Sequence, residues 1–292
     1  MDKQIEKPKE NLKLPAPSLK TWAGIKTFAL QFFDGFSRHD VMTLAAALAF
    51  YTSFSMAPIL IITLAIVGVM GGHAQELLVE QIQSLIGDQA STAVTAIIES
   101  AKSQPQSSGF AGIVGVLLLF FSASGVFAQF ESSLNVIWDV EPAASDSGAW
   151  AWIKKRLFSV GMVISLGFLA LVSLFVSTVL SFFFHSDGQV WSVVNTLATI
   201  FIFAGLFSLI FKYLPDTKLN WKDALTGGVA TAILFAGGKS LIGLYLGKSA
   251  VGSAYGAAGS LAVLLSWIYY SSIIVFAGAE LTRLLKARSG AE

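Results

Sequence analysis

The stretch that decides the fold class is Leu44–Met70, which reads LAAALAFYTSFSMAPILIITLAIVGVM. It runs for 27 residues without a charged side chain. About 20 mostly apolar residues are enough for a helix to cross the hydrocarbon core of a bilayer. The apolar residues follow one another without the alternation of a membrane β-strand. The stretch therefore predicts a transmembrane helix.

The rest of the chain repeats this pattern. Only 13% of the 292 residues are charged and the mean hydropathy is +0.70, whereas soluble domains carry about 25% charged residues. We therefore predict an all-α, polytopic bundle of six transmembrane helices. The other five predicted spans are Phe110–Phe130, Leu157–Phe183, Trp191–Phe211, Ala224–Leu246 and Gly256–Leu281.

The basic residues predict the orientation of the bundle. Loops on the cytoplasmic side of a membrane are enriched in lysine and arginine. One orientation places 16 of the 19 basic residues inside, Lys102 and Lys248 outside and Lys239 within a span. Both termini are therefore expected in the cytoplasm, with the chain as a multi-pass protein of a bacterial inner membrane. Residues 1–20 are expected to form a disordered tail, 21–286 the membrane domain and 287–292 a second cytoplasmic tail.

Two further segments are helical in pattern but do not cross. Thr21–Arg38 carries aromatic residues on one side and charged residues on the other, as in a helix that lies in the cytoplasmic interface. Packing of the same helix against the bundle is the alternative, and the two are compatible. Gly71–Ser108 contains two amphipathic stretches and predicts an outward-facing helical hairpin, either a lid over an opening or a packed cap.

Small residues recur every four positions in two of the spans. Lipid tails are as apolar as leucine, so membrane helices associate through the close approach that small residues allow. These rows therefore predict tight helix contacts. They are Ala45, Ala49, Ser53 and Ala57 in the first span, and Gly228, Ala232, Ala236 and Ser240 in the fifth.

Pro58 and Lys239 are the two unusual residues inside the spans. Pro58 lacks an N–H and should kink the first span, either as a hinge for gating or as a static bend. Lys239 is the one charge well inside a span. A lysine at that depth either extends its ammonium group toward the interface or marks a pathway or a partner.

A group of polar residues is predicted at the inner ends of the helices. Glu131, Asn135 and Asp139 are spaced by four and should share a helix face. Glu280 precedes Arg283 by three residues near the end of the last span. These residues predict a charge network at the cytoplasmic mouth, which serves either as structural ion pairing or as a substrate site.

The chemistry of an enzyme is not evident in the sequence. There is no cysteine, and no phosphate-binding loop or zinc-ligand spacing. His39, His73 and His185 are isolated, the first predicted inside and the others outside. We therefore expect no catalytic residue, no metal, no cofactor and no nucleic-acid partner.

Three motifs give a resemblance to a known family. They are Ala45 to Pro58 (AAALAFYTSFSMAP), Leu134 to Trp138 (LNVIW), and Tyr255 to Leu261 (YGAAGSL) followed by Trp267 and Gly278 to Leu281. Together they resemble the YihY/BrkB family of bacterial inner-membrane proteins, over nearly the whole chain. The motif positions that we single out are Trp138, Tyr255, Gly256 and Gly259.

The resemblance implies six membrane helices and an association with the bacterial envelope. Some members of that family carry the label ribonuclease BN, and others are associated with serum resistance or envelope lipid export. We therefore interpret the chain as a transporter or flippase-like exporter of a lipid or other amphiphilic envelope molecule. Its expected partners are membrane lipids and that cargo, and a second copy or an envelope protein. The alternatives are a non-transporting scaffold of an envelope complex and, third, a membrane-associated ribonuclease.

Overall fold

The computed structural model describes residues 21–68, 125–140, 189–248 and 259–289, and six positions between 92 and 99. For 57–68, 189–195, 247–248 and 288–289 it describes the backbone alone. Regular structure within these ranges is helical. In chain order the helices are α1 (Trp22–Arg38), α2 (Val41–Gly68), α3 (125–137), α4 (Gln189–Tyr213), α5 (Trp221–Lys248) and α6 (Gly259–Ser289).

Helix α1 begins and ends where its sequence provides caps. The Thr21 side chain accepts a hydrogen bond from the Gly24 N–H at 3.2 Å, which satisfies one of the free donors of the first turn. At the other end the His39 N–H donates to the Gly35 carbonyl at 3.0 Å. Asp40 follows with φ 47°, a left-handed conformation that aspartate tolerates better than most residues. Only His39 and Asp40 therefore separate α1 from α2.

Among the described residues, three helices have the length and composition of membrane spans. These spans are Thr196–Tyr213 in α4, Trp221–Leu246 in α5 and Gly259–Ala287 in α6. Val41–Met56 of α2 forms a shorter apolar helix. The chain is accordingly a helical membrane protein with several apolar helices. The predicted span Leu157–Phe183 lies outside the described residues, as do most of Phe110–Phe130 and of the outer hairpin.

Helix α5 packs between α4 and α6 through small residues. Toward α4, a Cβ built on Gly228 would lie 2.6 Å from the Ala204 carbonyl oxygen and 2.7 Å from the Ser208 nitrogen. Only glycine therefore permits this backbone approach, and Ala232, one turn on, is buried. The predicted small-residue row is in contact over this half, whereas Ser240 at its other end is exposed.

Toward α6, the contact is a reciprocal pairing of glycine with threonine. Gly227 on α5 faces Thr282 on α6, and Gly278 on α6 faces Thr231 on α5. Each threonine hydroxyl donates to the glycine carbonyl four residues earlier in its own helix, at 2.7 Å for Thr231 and 2.6 Å for Thr282. This internal bond satisfies the buried hydroxyl without a partner across the interface. The pairing sets the rotation of α6 and directs Glu280, about half a turn from Thr282, toward α1.

The opposite side of α6 packs against α1 and α2. Ala45 and Ala49, the first half of the other predicted row, are buried in α2. Val41, Leu134, Phe211 and Phe276 lie in the apolar core beneath the ends of these helices. The small residues of the membrane helices thus bring α1, α3 and α6 close enough for their end residues to meet.

Candidate functional site

Four ionisable side chains from three parts of the chain meet where α1 and α3 end beside the C-terminal part of α6. We call this group the charge ring, which consists of His39, Asp139, Glu280 and Arg283. His39 Nδ1 lies 3.0 Å from Glu280 Oε2, and His39 Nε2 lies 3.2 Å from Asp139 Oδ1. Arg283 Nη2 donates to Glu280 Oε1 at 2.6 Å, and Arg283 Nη1 donates to Asp139 Oδ2 at 3.0 Å. The contacts close into a cycle in which His39 and Arg283 each bridge the two carboxylates.

The ring is buried on one side and open to solvent on the other. Glu280 is 0% exposed and His39 is 6% exposed, whereas the side chain of Asp139 is 60% exposed. A buried carboxylate is tolerated only when nearby charges and hydrogen bonds compensate for its lost hydration. His39 and Arg283, which also donates from Nε to Glu280 at 3.3 Å, supply that compensation.

Gly35 provides the space for this arrangement. A Cβ built on Gly35 would strike the Glu280 carboxylate, with the Cδ atom at 2.8 Å and Arg283 Nη2 at 3.0 Å. Any larger residue would therefore push α1 away from α6. His39 lies one turn further along, so the glycine contact and the histidine contact act on the same carboxylate.

Asp139 reaches the ring through the end of α3. The helix ends in a Schellman motif, in which the Val140 N–H donates to the Asn135 carbonyl at 2.9 Å and the Asp139 N–H donates to the Val136 carbonyl at 3.1 Å. The left-handed position of this motif usually holds glycine, but here it holds Asp139 with φ 50°. A negative charge at a helix C-terminus is also unfavourable. Arg283 and His39 offset that cost.

Asn135 and Trp138 anchor the end of α3 to other elements. Asn135 makes two hydrogen bonds with Asp216 in the connection between α4 and α5, at 3.0 Å and 2.8 Å. Lys286 Nζ lies 5.4 Å from the centre of the Trp138 ring and donates to the Lys218 carbonyl at 3.0 Å. These contacts hold α3, the α4–α5 connection and the end of α6 together beside the charge ring.

The structure brings together some of the residues singled out from the sequence and separates others. Asp139 and Glu280 belong to the charge ring, and Asn135 and Trp138 lie beside it. Glu131 is buried on α3. The spacing of four does not carry Asp139 onto the face of Glu131 and Asn135, because the helix ends at residue 137. Of the remaining candidates, Gly259 begins α6, Lys239 is half-buried on α5, Pro58 lies within α2, and Tyr255 and Gly256 lie outside the described residues.

His39 was not part of the charge network predicted from the sequence. Its two partners are 100 and 241 residues away along the chain, so no local spacing could indicate them. The feature that could have indicated its role is its position in a short turn between two predicted helices, which keeps the side chain close to the bundle. Among the residues that the structure describes, no group of three histidine or acidic side chains could hold a metal ion. The two ring nitrogens of His39 face different carboxylates.

Comparison with known proteins identifies the family. Residues 32–292 match the family model described as virulence factor BrkB. The chain belongs to the BrkB family. The match contains all four members of the charge ring and the second half of α1. No solved structure matches this chain.

Two of three relatives of this BrkB family chain carry names that describe membrane proteins, and the third is named as ribonuclease-like. A UPF0761 membrane protein of Paraburkholderia xenovorans is 31% identical over 60% of this chain and 40% of its own length. One of Psychromonas ingrahamii is 28% identical over 83% of this chain and 82% of its own. YfkH of Bacillus subtilis, whose name describes it as ribonuclease-like, is 25% identical over 90% of this chain and 96% of its own. The chain thus spans less than half of the first of these relatives and nearly all of the third.

Proposed function

We propose that the protein is a transporter or flippase-like exporter of a lipid or other amphiphilic envelope molecule. The observation that supports this proposal is the charge ring, which joins α1, α3 and α6 at one end of the bundle. A ring of ion pairs across helix ends can hold a pathway closed and can open when its members exchange their partners for water. Water enters the ring from the side of Asp139, whose side chain faces solvent.

The charge distribution in the spans favours an amphiphilic cargo. Within the described spans, few charged side chains are distant from a helix end: Lys239 and Glu280 each lie seven residues from the end of their span. A pathway for a small hydrophilic ion would need more polar groups at that depth. An amphiphile with its apolar part in the bilayer needs few polar groups along its path. In this proposal Pro58 and Lys239 serve as pathway or gating residues.

The proposal includes the membrane topology. We place the chain in the bacterial inner membrane with six spans and both termini in the cytoplasm, because 16 of its 19 basic residues then lie inside. The charge ring then lies at the cytoplasmic mouth. Helix α1 lies in the interface, with Trp22 82% exposed and Phe33 67% exposed on its outer side and Gly35 against α6.

A lipid-movement assay tests the proposed function. The purified protein is reconstituted in liposomes that carry fluorescent lipid in both leaflets, and a membrane-impermeant quencher reports the lipid that reaches the outer leaflet. We expect faster exchange than in protein-free liposomes and a changed rate in Glu280→Gln, where the ring loses a charge. Glu99→Gln, the same change at an exposed position, should match the wild type. Absence of exchange under every imposed gradient would count against transport.

A non-transporting scaffold is the second candidate, and the exposed apolar side of α1 favours it. Such a helix side serves equally to dock an envelope protein or a second copy of the chain. Crosslinking in cells separates the candidates. A stable protein partner, with lipid distribution unchanged in Glu280→Gln, supports the scaffold.

We rank a membrane-associated ribonuclease below the transporter and the scaffold. We propose that the protein is not an enzyme. A general base needs a carboxylate free to take a proton from its substrate. Glu280 and Asp139 are each paired with Arg283 and in contact with a ring nitrogen of His39. Hydrolysis of RNA by purified protein, lost in Glu280→Gln and kept in Glu99→Gln, would reverse this order.

A further inference from the structure

His39 has a hydrogen-bonding environment that only one of its protonation states satisfies. Each of its ring nitrogens faces a carboxylate oxygen, at 3.0 Å for Glu280 and 3.2 Å for Asp139. An ionised carboxylate only accepts hydrogen bonds, and a neutral imidazole has a single N–H. Both contacts are therefore hydrogen bonds when the imidazole carries a proton on each nitrogen.

The net charge of the charge ring also favours a His39 that carries a proton on each nitrogen. With His39 protonated, two positive and two negative charges cancel. Without that proton the ring carries one excess negative charge next to Glu280, which is fully buried. A buried carboxylate that loses one of its cationic partners is strongly destabilised. The proton on His39 is thus the component that balances the closed ring.

The surroundings of His39 offer no other described cation in place of that proton. Arg283 already bridges both carboxylates, and the described side chains of α2, from Val41 to Met56, include no charged group. On α6, Lys286 is directed to Lys218 and Trp138. The described charged groups on the elements around His39 are Lys26, Asp34, Arg38 and Asp40 along its own segment, all exposed, Glu131 and Asp139 on the α3 segment, and Glu280, Arg283 and Lys286 on α6.

We infer that His39 is a proton-binding site that controls the association of α1 with α6. The bound proton closes the charge ring. Its release leaves one His39–carboxylate contact without a hydrogen and separates the two helices. Because the closed form binds the proton, acid favours closure and rising pH favours opening. The role of this opening in transport rests on the proposed function, whereas the proton site does not.

A direct count of the N–H groups tests the proton site. The variant His73→Asn/His185→Asn leaves His39 as the single histidine of the chain, so ¹⁵N-histidine NMR of that variant in detergent micelles reports on this ring alone. We expect two N–H groups in acid and one in alkali. In Asp139→Asn in the same background, the second N–H should be lost at a lower pH, because a carboxylate that accepts a hydrogen bond from the imidazolium is removed. An imidazole of His39 that keeps the same number of N–H groups from acid to alkali overturns the inference.

A distance measurement tests the opening. The chain has no cysteine, so Ser37→Cys on α1 and Ala287→Cys on α6, both exposed, accept spin labels without background. We expect the distance between the labels to increase with pH and to lose its pH dependence in His39→Asn. A distance that does not change with pH overturns the opening. A pH-dependent distance without lipid movement keeps this inference and removes the transport function, so the two proposals fail separately.

Discussion

At the residue scale, the charge ring shows how a carboxylate is kept fully buried. Glu280 has no contact with solvent, yet both of its oxygens are within hydrogen-bonding distance of a nitrogen, one on Arg283 and one on His39. Asp139 is held with φ 50° at a position that favours glycine. Strained positions of this kind persist where the surrounding contacts determine them, often at functional sites.

Neutralising Glu280 should lower the stability of the protein. Glu280→Gln retains the shape of the side chain but leaves Arg283 and His39 facing a neutral group. We expect a loss of about 3 kcal/mol in the free energy of unfolding, as when one partner of a buried ion pair is removed. Urea titration in detergent measures it. The exposed control Glu99→Gln should change stability by less than about 0.5 kcal/mol. Equal effects of the two variants would show that the ring does not stabilise the fold.

At the element scale, small residues determine which helices meet. Their spacing in the first and fifth spans indicated helix contacts from the sequence alone, and Ala45, Ala49 and Ala232 are buried. The sequence did not indicate which neighbour each row meets. Gly228 faces α4, whereas Gly227, the next residue, faces α6. Adjacent residues on a helix point about 100° apart, so one short stretch of α5 serves two interfaces.

Enlarging Gly228 should separate α4 from α5. The Cβ of Gly228→Ala would approach the backbone of Ala204 and Ser208, which cannot move away as a flexible side chain can. We expect a loss of about 1–3 kcal/mol, typical of an overpacked interface, seen as a lower thermal midpoint in detergent.

Gly237→Ala on the same helix is the matched control for this change. Its Cβ would meet nothing within 4 Å, and alanine is about 1 kcal/mol more favourable than glycine inside a helix. The control should be neutral or stabilising. A loss of stability in Gly237→Ala equal to that in Gly228→Ala would indicate that helix propensity, not the α4 contact, explains both effects.

At the scale of the whole molecule, the basic residues predict the orientation in the membrane. Moving lysine and arginine across the membrane during insertion is costly, so they remain on the cytoplasmic side. The segment before the first span and the tail after the last are both basic. This asymmetry belongs to the complete chain and not to any one helix.

The absence of cysteine makes the orientation testable by labelling. Ser18→Cys in the N-terminal segment is expected in the cytoplasm, and Ser103→Cys in the second connection is expected outside. In intact cells a membrane-impermeant maleimide should modify Ser103→Cys alone. Ser18→Cys should react only after the membrane is opened. The reverse pattern would invert the bundle and place the charge ring at the outer mouth.

The sequence by itself determined the membrane class, the positions of the described apolar helices and the resemblance to the BrkB family. These properties follow from composition, from the length of apolar runs and from short motifs, all of which are local in the chain. It also indicated polar groups at one end of the bundle, including Asp139 and Glu280.

Only the tertiary structure decided that these groups form one closed ring that includes His39. The partners of His39 lie 100 and 241 residues away, and Gly35 and the glycine–threonine pairing of α5 and α6 determine whether they can meet. A hydrogen bond requires its two atoms to lie within about 3 Å. Helix packing sets that distance, and no spacing along the chain encodes it.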